Sequence, residues 1–410
     1  MPHSREVASP ADPQSVTPVA AEPPGLSPAL TFLFAFACGA MVGNIYYAQA
    51  LIGLISTDLN MHGGMAGFIV TVTQLGYGAG LLLLVSLADL IENRILVLLT
   101  LAGTALGLAG AALSGTATTF LFCSFAVGFF ACGAQVLVPF ASHLAPAASR
   151  GRTIGNVMAG LLTGIMLARP LANLVAAQFG WRAIFWISSG AMLVVLALLR
   201  AALPVRRPHG SMGYGAILRS IFHLLATTPA LQRRALYQGA MFGCFNLFWT
   251  AIPLLLTEQF GYGQRQIALF ALAGAAGAAA APVAGRLADR GFTQRGTAIA
   301  MVTLISWFLI GGWAGAAVSI AGLVLAAIFI DSAVQTNQIL SQRIIFSLNE
   351  QARGRLNAVY MTIVFLLGSA GSALAAATYF YGGWWATSAA GAVLGLAVLM
   401  VFATERFGRL

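Results

Sequence analysis

The sequence predicts an all-α membrane protein of twelve transmembrane helices, built as two parallel six-helix repeats. Three observations carry this prediction. Charged residues make up 8% of the 410-residue chain and hydrophobic residues 59%, whereas a soluble domain has about 25% charged residues. Apolar runs recur twelve times along the chain, each near the roughly 20 residues that a helix needs to cross a hydrocarbon core of about 30 Å. Short motifs in the first half return in order in the second, at offsets of 200 to 203 residues.

Residues 1–27 are rich in Pro and Ala and carry Glu6, Asp12 and Glu22. They lack the basic start and apolar centre of a signal peptide and are expected to form a disordered cytoplasmic tail. Residues 28–203 form the expected N-terminal half, with apolar runs centred near residues 42, 76, 105, 130, 165 and 192. Residues 204–234 form a linker that holds Arg206, Arg207, Arg219, Arg233 and Arg234 and no acidic residue. Within it, GAILRSIFHLL has the pattern of a short helix lying at a membrane surface. Residues 235–410 form the C-terminal half, with runs centred near 245, 275, 307, 332, 365 and 393.

All 21 basic residues are arginine. With an even number of spans and both termini in the cytoplasm, 18 of them fall on the cytoplasmic side. Arg182 and Arg265 fall outside, and Arg169 lies within a span. Cytoplasmic loops of membrane proteins carry such an excess. The net charge of +10 is thereby accounted for without nucleic acid. The expected location is the bacterial inner membrane, with the lipid bilayer as partner and the chain as a monomer.

The repeat is the main organisational signal. SLAD (86–89) returns as RLAD (286–289), and RGR (150–152) as RGR (353–355). GW (180–181) returns as GW (383–384), QVL (135–137) as QIL (338–340), and NIYY (44–47) as NLFW (246–249). Each match is short, but five in one order at nearly one offset are unexpected by chance. Parallel repeats of six spans place a substrate site near the midplane, between the halves.

GRLADRGFTQR (285–295) resembles the loop signature of the major facilitator superfamily through Gly285, Leu287, Ala288, Asp289 and Arg290. VSLADLIENR (85–94) is similar to its other copy through Leu87, Ala88, Asp89 and Arg94. The resemblance covers residues 28–404. NIYYAQ, AQVLVP, GWRAIF and ARGRLNAVYM are similar to a bacterial branch related to drug and metabolite exporters. Ser124 stands where such exporters often carry an arginine in span four, and the GIMLARPLANL segment keeps Pro170 but adds Arg169 and Asn173. These departures weaken a standard proton-antiporter reading.

The resemblance implies that spans one, four, seven and ten line the cavity. The polar residues there are the candidate substrate ligands: Asn44, Tyr47, Gln135, Asn246, Trp249, Gln335 and Gln338. Helix glue is the alternative reading for the amides, and packing for the aromatics. Asp331, Gln335, Gln338 and Gln342 share one helix face by spacing. Arg169 is the deep cation and Asp331 the central carboxylate. Spans five and ten approach each other in this fold, so three readings stay open: a fixed ion pair, an acid that exchanges a proton as access changes, or two groups that never meet. Asp89, Arg94, Gly285, Asp289 and Arg290 are the expected gating residues. The resemblance implies that Asp89 and Asp289 each meet the start of a helix in the other half, where a carboxylate is favoured.

The four cysteines, Cys38, Cys123, Cys132 and Cys244, lie in apolar runs without metal-ligand spacing. No metal, cofactor, nucleotide loop or catalytic set is expected, so the chain is read as a non-enzyme. The function expected is secondary transport of a small-molecule substrate by alternating access, as proton-coupled efflux. Uptake by symport or facilitation is the alternative, and a non-transporting membrane receptor is a third class.

Overall fold

The computed structural model describes residues 27–61, 63–146, 149–204, 213–277, 280–349 and 352–407. The expected tail at 1–26 and linker residues 205–212 lie outside them. In hydrocarbon each backbone N–H and C=O must find its partner within the protein, so apolar runs fold as helices. The first half holds α1 (Pro28–Ala50), α2 (Ile52–Asp58), α3 (Phe68–Leu83), α4 (Asn93–Leu113), α5 (Ala117–Ala131), α6 (Ala134–Leu144), α7 (Arg150–Phe179) and α8 (Trp181–Ala202). Short 3-10 turns, Gly63–Gly67 and Val85–Asp89, bracket α3. The linker holds α9 (Tyr214–Thr227). The second half holds α10 (Pro229–Glu258), α11 (Gln264–Gly277), α12 (Ala280–Asp289), α13 (Thr293–Ala316), α14 (Ile320–Leu348) and α15 (Arg353–Phe407).

Ten described helical stretches are long and apolar enough to cross a membrane. The expected eighth span falls on α11 and α12, which are 14 and 10 residues long. The expected eleventh and twelfth share α15. At 55 residues, α15 would be roughly 80 Å long if straight, far more than one crossing. It is two helices that meet at Gly383, whose φ is 63°. In the first half Gly180, φ 79°, makes the corresponding junction between α7 and α8. Only glycine enters this backbone region at low cost, which gives the repeated GW motif a local reason. The outer surface bears large apolar side chains such as Leu106, Phe122, Leu269 and Val393, all more than half exposed. That pattern suits lipid and not water.

Within the first half α1 packs on α7, α3 on α5, and α4 on α8. Within the second, α10 packs on α15 and α13 on α14. The halves meet chiefly along α3 with α15 and α7 with α11. Beside the Tyr77–Phe365 ring pair, small residues let α15 and the segment entering α3 approach closely. A methyl group on Gly67, for example, would lie 3.0 Å from the Ser372 carbonyl. The Thr71 hydroxyl donates to the Ser369 carbonyl at 3.2 Å across the same seam. Helix α9 buries Ile217 and Ile221. It is tied to both halves, through the Tyr214 hydroxyl to the Leu83 carbonyl and through Ser220 to Arg355.

Candidate functional site at the meeting of the halves

The charged residues buried among the described residues are Arg169, Arg234 and Asp331. Arg234 faces Thr297 at 3.0 Å and Glu405 at 3.7 Å within the second half. The other two converge where α1, α7, α10 and α14 come together. Both are 7% exposed.

Arg169 and Asp331 form no direct salt bridge. The Trp249 indole stands between them. Its Nε1–H donates to Asp331 Oδ1 at 2.8 Å, and the Arg169 guanidinium lies over its ring, 4.4 Å from the centroid. The guanidinium also lies 5.0 Å from the ring centres of Tyr46 and Phe245. Its Nε and Nη2 donate to Gln49 Oε1 at 3.2 and 3.0 Å. Arginine suits this position because its planar, weakly hydrated cation stacks on aromatic faces. Arg169 precedes Pro170, and the Asn173 amide donates to the Arg169 carbonyl at 3.0 Å.

The amide of Gln49 continues the network into the second half, donating to Asn246 Oδ1 and Thr250 Oγ1, each at 3.3 Å. Asn246 and Gln74 exchange two hydrogen bonds, of 2.6 and 3.1 Å. Thr250 then faces Ser372 at 3.3 Å. The network thus ties α1, α3 and α7 to α10, α14 and α15. Gln49 lies roughly 30 Å along α1 from the Arg-rich end, so the halves are closed toward the opposite end. At the Arg-rich end a cavity of about 210 Å³ separates the first half from the start of α15.

Two glycines of α11 make room for this cluster. A methyl group on Gly274 would lie 3.0 Å from Asp331 Oδ2, and one on Gly277 would lie 2.6 Å from Asp331 Cβ and 2.8 Å from the Ile328 carbonyl. Pro253 acts on α10. It lacks an N–H, so the Trp249 carbonyl four residues earlier has no helical donor. Pro139 does the same for the Gln135 carbonyl, just after the break between α5 and α6.

The remaining sequence candidates lie as follows. Asn44 is buried, and neither its amide nitrogen nor its oxygen has a hydrogen-bond partner. On α1 it points roughly 140° away from Gln49. Tyr47 points into a groove of about 960 Å³ between α1, α7 and α8, with Ser188 and Leu171. Gln135 donates to the Tyr77 hydroxyl at 3.3 Å and also lines the cavity at the Arg-rich end. Gln338 accepts from the Tyr360 hydroxyl at 3.2 Å. Gln335 is half-buried and forms no hydrogen bond to a described residue. Asn337, which was not a sequence candidate, donates to Gln238 at 2.8 Å and joins α14 to α10.

Among the expected gating residues, Asp89 is exposed and lines the same cavity as Gly354, Arg355 and Asn357 of α15. Arg94 donates to the Arg200 carbonyl at the end of α8, where a cation is favoured. Gly285 lies in α12, and Arg290 follows it, exposed. The Asp289 backbone ends α12, and its side chain lies outside the described residues. Among the described residues no three His, Cys, Asp or Glu side chains group as a metal site.

Gln49, Gln74, Phe245, Gly274 and Gly277 were not among the sequence candidates. Gln49 and Gln74 were visible as amides within apolar runs. At the offsets of the nearest repeated motifs, 202 for NIYY and 200 for SLAD, their counterparts are Ala251 and Gly274, so neither amide recurs in the second half.

Residues 31–372 match the Major Facilitator Superfamily. The chain is 38% identical over 379 residues to the uncharacterised transporter YgaY of Escherichia coli O157:H7, covering 92% of this chain and 95% of that one. It is 35% identical over 400 residues to a probable transporter of Streptomyces coelicolor, covering 94% and 90%. It is 26% identical over 358 residues to a chloramphenicol resistance protein of Streptomyces lividans, covering 85% and 88%. The solved nucleoside transporter NupG shares the fold with a TM-score of 0.73 at 11% identity, covering 91% and 99%. With two pseudo-equivalent sets of helices meeting at a buried polar cluster, the chain belongs to the major facilitator superfamily, whose members are secondary transporters of small molecules.

Proposed function

We propose that the protein exports a small organic solute from the bacterial cytoplasm in exchange for protons, by rocking its halves about the cluster at Trp249. The observation that carries this reading is Asp331. It is the buried carboxylate of the described spans, it sits at the junction of the halves, and a tryptophan separates it from a buried cation. Intramembrane acids of this kind mark ion and proton routes.

The chemistry follows from the geometry. As a carboxylate, Asp331 holds the indole N–H and supplies the negative charge nearest Arg169 on the far side of the ring. A proton on Asp331 removes that charge. Arg169 then keeps its ring contacts and Gln49 but loses the field that favours its position. Arg169 and Gln49 belong to one half, Trp249 and Asn246 to the other, so a weaker hold on Arg169 weakens the closure itself. Asn246 and Trp249 would meet solute as the closure parts; Gln135, Gln335 and Gln338 line its path toward the Arg-rich end. Asp89 and Asp289 are proposed to latch that end against the helix starts near Arg353 and Arg152. The relative named for chloramphenicol resistance supports the outward direction.

The test is Asp331→Asn in proteoliposomes with a measured solute. Solute exchange at equal concentrations is expected to persist, while accumulation driven by a pH gradient is lost. Gradient-driven accumulation at the wild-type level would end the proton-coupled reading.

A further inference from the structure

The rings around Arg169 have a second meaning. Tyr46, Phe245 and Trp249 present their faces to one point at 4.4 to 5.0 Å. Asp331 is bonded to the edge of the Trp249 ring. Several aromatic faces beside one carboxylate, in a dry setting, are the chemistry that recognises an organic cation. We propose that this box is the substrate subsite for organic cations, and that the Arg169 side chain is its built-in occupant, expelled when a substrate cation enters. The proposal rests on the reading that this cluster lies on the transport path.

Three features favour exchange over joint occupancy. First, Arg169 is held lightly by hydrogen bonds. Two of its five N–H groups reach protein, and both go to the single oxygen of Gln49. Second, a substrate cation added beside Arg169 would place two positive charges against one buried carboxylate. Replacing Arg169 leaves the charge of the box unchanged. Third, Tyr46 and Arg169 come from the first half, and Phe245, Trp249 and Asp331 from the second. Expelling Arg169 therefore exchanges a contact between the halves for a contact with solute, so occupancy and opening are linked by the same three rings. An anion is disfavoured here, because the ring faces carry negative potential and Asp331 adds to it.

The test is equilibrium binding to the full chain in lipid nanodiscs, without any gradient. The probes are choline, its neutral isostere 3,3-dimethylbutanol and the anion 3,3-dimethylbutanoate. Choline is expected to bind the wild type and to bind Arg169→Gln about tenfold tighter. Gln49→Leu, which releases Arg169 without removing it, is expected to tighten binding as well. Trp249→Leu is expected to abolish binding, even combined with Arg169→Gln. Thermal unfolding identifies the variants that fold. Equal binding of 3,3-dimethylbutanol overturns the proposal, as does choline binding that Arg169→Gln and Gln49→Leu leave unchanged or weaken. Preference for the anion, lost in Arg169→Gln, assigns the site to anions instead. Because no gradient is applied, loss of proton coupling in the transport assay leaves this outcome unaffected.

Discussion

Trp249 carries two separable jobs, a hydrogen bond from its edge and a stacking surface on its face. Phenylalanine keeps only the face. Trp249→Phe is expected to hold choline binding within about threefold while lowering gradient-driven transport at least tenfold, a split read by running both assays on one preparation. Gly277 tests the room behind Asp331. Because a methyl group there would lie 2.6 Å from Asp331 Cβ, Gly277→Ala is expected to cost about 1–3 kcal/mol through overpacking. Thermal unfolding would show a lower midpoint, and transport would fall with it. At this scale the sequence was legible where a residue was chemically out of place. Asp331 and Arg169 stood out as charges in apolar runs. Their relation did not, because spacing along α7 and α14 says nothing of a ring from α10 inserted between them. Asn44 and Tyr47 show the same limit. Helix α1 is apolar on nearly every side and buried from Met41 to Ala50, so its pattern offers no preferred face to orient them.

Two helices are interrupted beside candidate residues. Pro253 leaves the Trp249 carbonyl without a helical donor, and the break before Gln135 is followed by Pro139. Restoring the donor with Pro253→Ala is expected to stiffen α10, raising the unfolding midpoint and slowing turnover, as paired melting and transport measurements would show. The amide network is the weaker part of the closure. Hydrogen bonds between membrane helices average about 0.6 kcal/mol. Asn246 makes three to the other half, so together they hold about 2 kcal/mol. Asn246→Leu is therefore expected to shift the balance of closed and open forms by up to about thirtyfold without unfolding the chain. Faster labelling of a cysteine at Leu254, near Gly53 of the other half, would report it. Apolar runs announced most of these helices. Their merging at Gly383 and their breaks within spans did not show, because a hydropathy window averages over a single turn.

Across the whole molecule, the halves close toward one end and leave a small cavity at the other. A short bifunctional maleimide joining cysteines at Gly53 and Leu254 is expected to arrest transport, since the two positions would then be unable to part. Undiminished transport after complete cross-linking would contradict a rocking closure at that end. The two-half plan is legible in the repeat, and the GW pair marks glycines with positive φ at equivalent junctions. What the repeat could not convey is where the halves differ. The position 203 residues after Arg169 is Ser372, and the one 203 before Asp331 is Gly128. That asymmetry bears on assembly. Cut within residues 205–212 and produced as separate chains, two first halves would bring together arginines with no carboxylate, and two second halves the reverse. Only the mixed pair completes the set around Trp249. On the proposed reading of the site, the unequal charges would serve as a pairing code between the halves as well as a place for solute.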